Sequence, residues 1–250
     1  MKNIPIISVC GKGGVGKTVL SSLLSKAIID EGITPLLLVD ADPVGGLVSA
    51  IGEKVVNTLA DVRDRFIGGA RQGGKVLAQQ IAGQLDYFIL NSLVEREKYS
   101  VLAMGRTKEK GCFCSANNLL KSALAEVISA FSCVLIDAEA GIEQINRDVT
   151  NRVNNVIIVV DASQRSLDTL RVIYGMVKTS QISVVVNRVS ENDSLILPDD
   201  VNIIGMIPEN DVLKQFDREG KSLWQLPADN EALVSAREIV CKLAILKKEI

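Results

Sequence analysis

The segment Gly11-Lys12-Gly13-Gly14-Val15-Gly16-Lys17-Thr18 satisfies the spacing G-x-x-x-x-G-K-S/T. Glycines at 11, 13, 14 and 16 free the backbone to turn successive N–H groups, that of Val15 included, around a β-phosphate. The helical pattern that opens at Lys17 adds the positive end of its dipole. Lys17 is then the cation for the β- and γ-phosphates, and the Thr18 hydroxyl is a ligand for Mg²⁺. Two aspartates close apolar runs elsewhere, Asp40 after Val39 and Asp137 after Cys133-Val134-Leu135-Ile136. Open α/β sheets bind ligands beyond the C-terminal ends of their strands, so Asp40 and Asp137 are expected to support the Mg²⁺ shell, directly or through water. A strand-end aspartate also caps a following helix, which leaves each one ambiguous when taken singly. Together these residues imply binding of ATP or ADP with Mg²⁺.

Two thiols make a second candidate site. Cys112-Phe113-Cys114 follows Gly111 and leads into a helical pattern, and a helix N-terminus favours the thiolate that binds metal. One such pair leaves a metal half-coordinated, whereas facing pairs across a two-fold axis complete a four-sulfur site. Taken alone, the Cys-x-Cys spacing fits buried structural thiols better than a metal site. Cys10, Cys133 and Cys241 fall inside apolar patterns and read as core. The 250 residues contain no histidine, which excludes imidazole ligands, His bases and His-dependent triads, so any metal held by side chains sits on sulfur or oxygen.

Composition narrows the class further. A formal charge of −2 argues against bulk binding of nucleic acid. No apolar run approaches the roughly 18–20 residues of a membrane span, and Met1-Lys2-Asn3 runs into a strand-like segment rather than a signal peptide. The expectation is a cytoplasmic protein with no stable membrane association. Five cysteines, an odd number without an export signal, suit metal or redox chemistry better than a disulfide framework.

Short β-branched apolar runs alternate with longer helical patterns, the rhythm of βαβ units around a parallel sheet. Strands are predicted at Ile4–Cys10, Thr34–Asp40, Leu85–Leu90, Tyr99–Met104, Cys133–Asp137, Asn155–Asp161, Ile182–Val189 and Val201–Ile207. Helices are predicted at Lys17–Asp30, Val56–Ala82, Asn117–Phe131, Ile142–Val153, Ser166–Thr179, Asp211–Glu219 and Asn230–Lys248. Gly68, Gly69, Gly73 and Gly74 interrupt the second of these. No repeat or linker splits the chain, so residues 1–250 are expected to form a single doubly wound α/β domain with a mostly parallel sheet.

Lys12, a second lysine early in the loop, resembles the mark of the deviant Walker A, SIMIBI-type P-loop NTPases, which include MinD/ParA and the nitrogenase iron protein. That resemblance implies a homodimer in which Lys12 reaches the partner's phosphates, a cation supplied in trans. It also implies that Asp42, in Val39-Asp40-Ala41-Asp42-Pro43, orients or deprotonates the attacking water. Asn187-Arg188 and Ile207-Pro208-Glu209-Asn210 resemble the adenine pocket of these ATPases, with Asn187 on the base edge and Pro208 on the ring. Met104-Gly105-Arg106, Gly111-Cys112-Phe113-Cys114-Ser115-Ala116-Asn117-Asn118 and Asp137-Ala138-Glu139-Ala140-Gly141-Ile142-Glu143 resemble the CooC family of carbon monoxide dehydrogenase maturation ATPases. The likeness runs from Gly11 to about Asn210. It implies an ATP-dependent homodimer that binds nickel, or zinc, through Cys112 and Cys114 of both chains. Nucleotide turnover would then drive delivery to a client such as carbon monoxide dehydrogenase. After Asp42-Pro43 the chain has Val44-Gly45-Gly46, where the family pattern has an asparagine and a more polar segment.

Two other functions share this scaffold. An iron–sulfur reductase of the nitrogenase iron protein type would need a second cysteine near Asp137, where this chain has Ala138-Glu139-Ala140. A MinD/ParA-like positioning switch would use the amphipathic end 236–248 on lipid, and leaves the Cys-x-Cys pair unexplained.

Overall fold

The computed structural model describes residues 4–69, 83–106, 122–138, 153–176, 181–190 and 201–243. The apolar runs form β1 (Ile6–Gly11), β2 (Leu36–Asp40), β3 (Val94–Glu95), β4 (Tyr99–Ala103), β5 (Cys133–Asp137), β6 (Asn155–Val160), β7 (Gln181–Val189) and β8 (Ile203–Pro208). They join in one eight-stranded sheet of order β3-β4-β2-β5-β1-β6-β7-β8. Every neighbouring pair is parallel except β3 with β4. The expected doubly wound, mostly parallel sheet is therefore observed.

Helical segments cover both faces: α1 (Lys17–Asp30), α2 (Gly46–Ala50), α3 (59–69), α4 (Leu85–Leu90), α5 (122–128), α6 (Gln164–Met176), α7 (Asp211–Arg218) and α8 (Glu231–Lys242). Side chains alternate across a strand, and that alternation sorts the core into two layers. Ile7, Val9, Leu36, Leu38, Leu135, Ile157 and Val159 pack with residues of α1, α2 and α8. Ile6, Cys10, Leu37, Val39, Val134, Ile136, Val156 and Ile158 pack with residues of α3, α4, α5 and α6. Burial on both faces is why these strands read as continuous apolar runs. In α1, Leu20, Leu23, Leu24, Ala27 and Ile28 recur at helical spacing and are all buried. Each leucine or isoleucine there contributes about 1.5–3 kcal/mol.

Leu85–Leu90 is a helix and not the expected strand. Leu85 and Ile89, four apart, are buried, while Tyr87 and Leu90 are 64% and 48% exposed. A six-residue apolar run does not by itself separate the two periods. The strand in this stretch is the short β3, whose pairing with β4 the sequence pattern did not signal. The helix predicted over Ile142–Val153 lies outside the described residues, apart from Val153; of Val56–Ala82 the structure describes 56–69, where α3 runs through Gly68 and Gly69, and residues 70–82 lie outside.

β1 lies between β5 and β6, and the chain builds outward on one side of it before Asp137 and on the other from Asn155 onward. Such a switch point leaves a crevice beyond the strand ends where ligands bind. Gly11, Asp40 and Asp137 all end their strands at this edge.

Candidate nucleotide site

Gly11 ends β1 at φ +148°, and a Cβ there would stand 2.4 Å from the Val159 carbonyl oxygen of β6. Gly16 caps α1 in the left-handed region, and a Cβ would meet the Asn187 Nδ2 at 2.2 Å. At both positions the close approach of neighbouring groups and the backbone angle demand glycine. Between them Gly13 and Gly14 are exposed and Lys12 is half-buried. Lys17 is buried, and its Nζ donates to the Lys12 carbonyl oxygen at 3.3 Å.

Asn187, buried near the end of β7, donates through Nδ2 to the Val15 carbonyl oxygen at 2.8 Å. The residue expected at the adenine edge thus supports the glycine loop from β7, two strands from β1 in the sheet. Arg188 follows at φ +58°, exposed, where the register between β7 and β8 shifts. Left-handed backbone is uncommon for a residue with a side chain and clusters at functional sites. Pro208 ends β8 opposite Val189 and is half-buried.

The carboxylates meet on the other side of the loop. Asp40 and Asp137 are register partners on β2 and β5, and both are buried. Asp137 accepts from the Thr18 hydroxyl at 2.8 Å through Oδ2 and from the Ser21 hydroxyl at 3.0 Å through Oδ1. Asp40 accepts from the Val48 and Asp42 amides at 2.9 and 3.1 Å. Burial, with the charge of Asp137 beside it, pushes the Asp40 carboxyl up to about 6 despite those two hydrogen bonds. Burial also raises Asp137, against the hydroxyls and the Lys17 charge, which pull it down. A pair of neighbouring, desolvated carboxyls next to a threonine hydroxyl is a hard-oxygen donor set suited to Mg²⁺.

Asp42 is half-buried and its Oδ1 accepts from the Val44 amide at 2.8 Å. Gly46 begins α2 here, where a Cβ would lie 3.4 Å from Thr18 Cγ2 and 3.7 Å from Asp42 Oδ2. Gly45 caps α2 in the left-handed region, so that this short helix starts against Thr18, and Val44 just before it is 85% exposed. Sequence reasoning missed Ser21. Ser21 follows Thr18 by three residues on the same helix face, a spacing that brings both hydroxyls to one carboxylate.

Cys112 and Cys114 lie outside the described residues, as does Glu139 to Glu143. Among the described residues no three Cys, Asp or Glu side chains group as a metal cage. Cys10 and Cys133 are buried in the two core layers, and burial pushes both thiols up to about 12. Cys241, expected in the core, is exposed on α8. Its neighbour Val240 takes the buried position instead.

A parallel sheet, a strand–glycine loop–helix unit and paired strand-end aspartates define a P-loop NTPase of MinD/ParA-like fold. Residues 1–205 match the AAA domain family. An uncharacterized ATP-binding protein of Methanocaldococcus jannaschii is 36% identical, across 95% of this chain and 98% of that protein. The carbon monoxide dehydrogenase accessory protein CooC of Rhodospirillum rubrum is 31% identical, across 88% of this chain and 89% of its own length. In fold, the chain resembles the MinC:MinD cell division protein complex of Aquifex aeolicus, with a TM-score of 0.71 at 20% identity over 96% of this chain and 95% of that one. The chain belongs to the AAA-domain family of P-loop NTPases. Among the described residues no helix is long and apolar enough to cross a membrane.

Proposed function

We propose that the chain, as one ATPase domain, forms a homodimer that hydrolyses ATP and carries nickel for insertion into carbon monoxide dehydrogenase or a related metalloenzyme. The nucleotide half of this reading rests on one observation, the Thr18 hydroxyl held at 2.8 Å on Asp137 beside the buried Asp40. The metal half rests on the likeness to CooC across 88% of the chain, together with Cys112 and Cys114 in the sequence.

In this function Lys17 leaves the Lys12 carbonyl for the β- and γ-phosphates, and the loop amides from Gly13 to Thr18 cradle the β-phosphate. Thr18, with Asp137 and Asp40 directly or through water, holds Mg²⁺, which when bound neutralises charge on the phosphate oxygens. Asp42 orients the attacking water, and Lys12 engages the partner's γ-phosphate. Arg188 and Pro208 border the base, while Asn187 supports the loop beneath it. The nickel is cargo, held between chains by Cys112 and Cys114 and released as nucleotide turnover changes their spacing.

Two measurements test the halves separately. Phosphate release from Mg-ATP is expected to fall about 10²–10⁴-fold in Lys17→Ala, and equal rates in the two proteins would remove the ATPase. Anaerobic Ni²⁺ titration of the reduced protein is expected to show one metal shared by two chains. Sulfur-to-metal charge-transfer bands would be present in the wild type and absent in Cys112→Ala/Cys114→Ala. If both proteins titrate alike, the nickel carrier is wrong and an ATP-driven positioning switch takes its place.

A further inference from the structure

Thr18, Asp40 and Asp137 gather the Mg²⁺ donors on the β2–β5 side of the phosphate loop. Mg²⁺ bridges the β- and γ-phosphates, so a bound nucleotide points its nucleoside the other way, toward the ends of β7 and β8. Those two strand ends are joined to each other and to the loop. The Glu209 amide donates to the Val189 carbonyl oxygen at 3.0 Å, and Asn187, two residues before Val189, holds Val15 of the loop. Asn210 caps α7, its Oδ1 accepting from the Leu213 amide at 2.9 Å. The same oxygen accepts from Asn230 Nδ2 at 3.1 Å. Asn230 is buried and caps α8, its own Oδ1 accepting from the Ala232 amide at 3.1 Å. The two helix amides fix which end of each side chain is oxygen, so the NH2 of Asn230 faces an acceptor and the pairing has one sense. α8 in turn packs on α1, where Leu233 and Ala236 share a core layer with Leu24 and Ala27 and Arg237 reaches Asp30 at 3.3 Å.

Capping uses only the two side-chain oxygens. The NH2 of Asn230 is left over, and it ties the segment 208–210 to α8. We propose that Asn230 is a positioning residue for the nucleoside, holding Pro208 and Glu209 in place through Asn210. Both ends of the nucleotide are then referred to one rigid element: the phosphates to the N-terminus of α1, the nucleoside to α8 packed along it. The Lys214–Glu209 ion pair at 2.6 Å cannot replace this bond, because it joins the segment only to α7, which moves with it. The role in binding rests on the nucleotide site proposed above, whereas the Asn230–Asn210 pairing does not.

Asn230→Ser is the informative variant, because serine keeps an oxygen for the Ala232 amide and is too short to reach Asn210. Calorimetric titration of the full-length chain with Mg²⁺ compares ADP with inorganic pyrophosphate, which carries the phosphates without the nucleoside. In Asn230→Ser the dissociation constant for ADP is expected to rise about two- to ten-fold, the scale of one neutral hydrogen bond, with that for pyrophosphate unchanged. Asn230→Asp keeps the cap but turns a second acceptor toward Asn210 Oδ1, and it is expected to weaken ADP at least as much. A merely structural asparagine would weaken both ligands alike or neither, and either result overturns the proposal. A wild type that binds ADP no more tightly than pyrophosphate would remove the nucleoside pocket itself, and the proposal with it. A wild type that prefers ADP, with both variants keeping that preference in full, leaves the pocket standing and overturns the role of Asn230 alone.

Discussion

Aspartates close three strands along the same edge of the sheet, yet they sit in opposite electrostatic states. Asp40 and Asp137, adjacent on β2 and β5, are buried side by side, and burial drives both carboxyls upward. Asp161, just past β6, is half-buried among serine donors and near a lysine, and it is held low. The first region carries more negative charge than its protein partners neutralise, which is the condition of a site built for a cation. The second is held ionised chiefly by serine donors of its own chain. Residue type and strand-end position are the same in both. Depth of burial and the sign of the nearest charge decide the role.

Substitutions that remove one charge at a time are the sharpest test of this contrast. Asp137→Asn is expected to cut turnover by about 10²–10³-fold and raise the Mg²⁺ concentration needed for half-maximal rate. Asp161→Asn is expected to leave that Mg²⁺ requirement unchanged. A raised requirement in Asp161→Asn would erase the distinction between the two regions.

The next effect is on stability against pH. The folded pKa of Asp40 lies near 6, above its ordinary 3.8, so the folded state binds this proton more tightly than the unfolded chain. The stability this group contributes is full below the ordinary value and is lost as pH rises toward 6. Relative to Asp40→Asn, the wild type is therefore expected to lose up to about 3 kcal/mol of unfolding free energy between pH 4 and pH 6, and no more above that. Urea titrations of both proteins across this range measure it; a flat difference would mean that burial does not raise Asp40, and a rise with pH would place it with Asp161.

The smallest effect concerns the backbone that brings the regions together. Gly11→Ala is expected to cost about 2 kcal/mol or more, because a Cβ at 2.4 Å meets a β6 carbonyl oxygen that cannot yield. Gly46→Ala, with its nearest neighbour the Thr18 methyl at 3.4 Å, is expected to stay within about 0.5 kcal/mol. Midpoints of chemical denaturation compare the two.

Much of the scaffold was legible because both faces of the sheet are covered. β-branched runs at Cys133–Asp137 and Asn155–Val160 and the glycine loop before Lys17 announce a parallel sheet without any tertiary knowledge. The apolar run Leu85–Leu90 misled, since six residues fit either period and only packing against the α3 layer selects the helix. β3 was invisible because two residues, Val94 and Glu95, carry no period of their own. Within the site, Thr18, Asp40 and Asp137 were legible from type and strand position. Ser21 was not, because its bond to Asp137 spans more than a hundred residues of chain. Asn187 was identified as part of the site, but its contact is with the Val15 carbonyl oxygen.

Local rules thus determined the glycine-rich phosphate loop, the strand-end carboxylates and the two-sided apolar sheet, because spacing and periodicity act over a few residues. Only the tertiary structure decided which aspartate is desolvated and which is held low by hydrogen-bond donors. Those properties depend on dielectric and on charges brought together from β1, β2, β5 and β6, and no local stretch of sequence contains them.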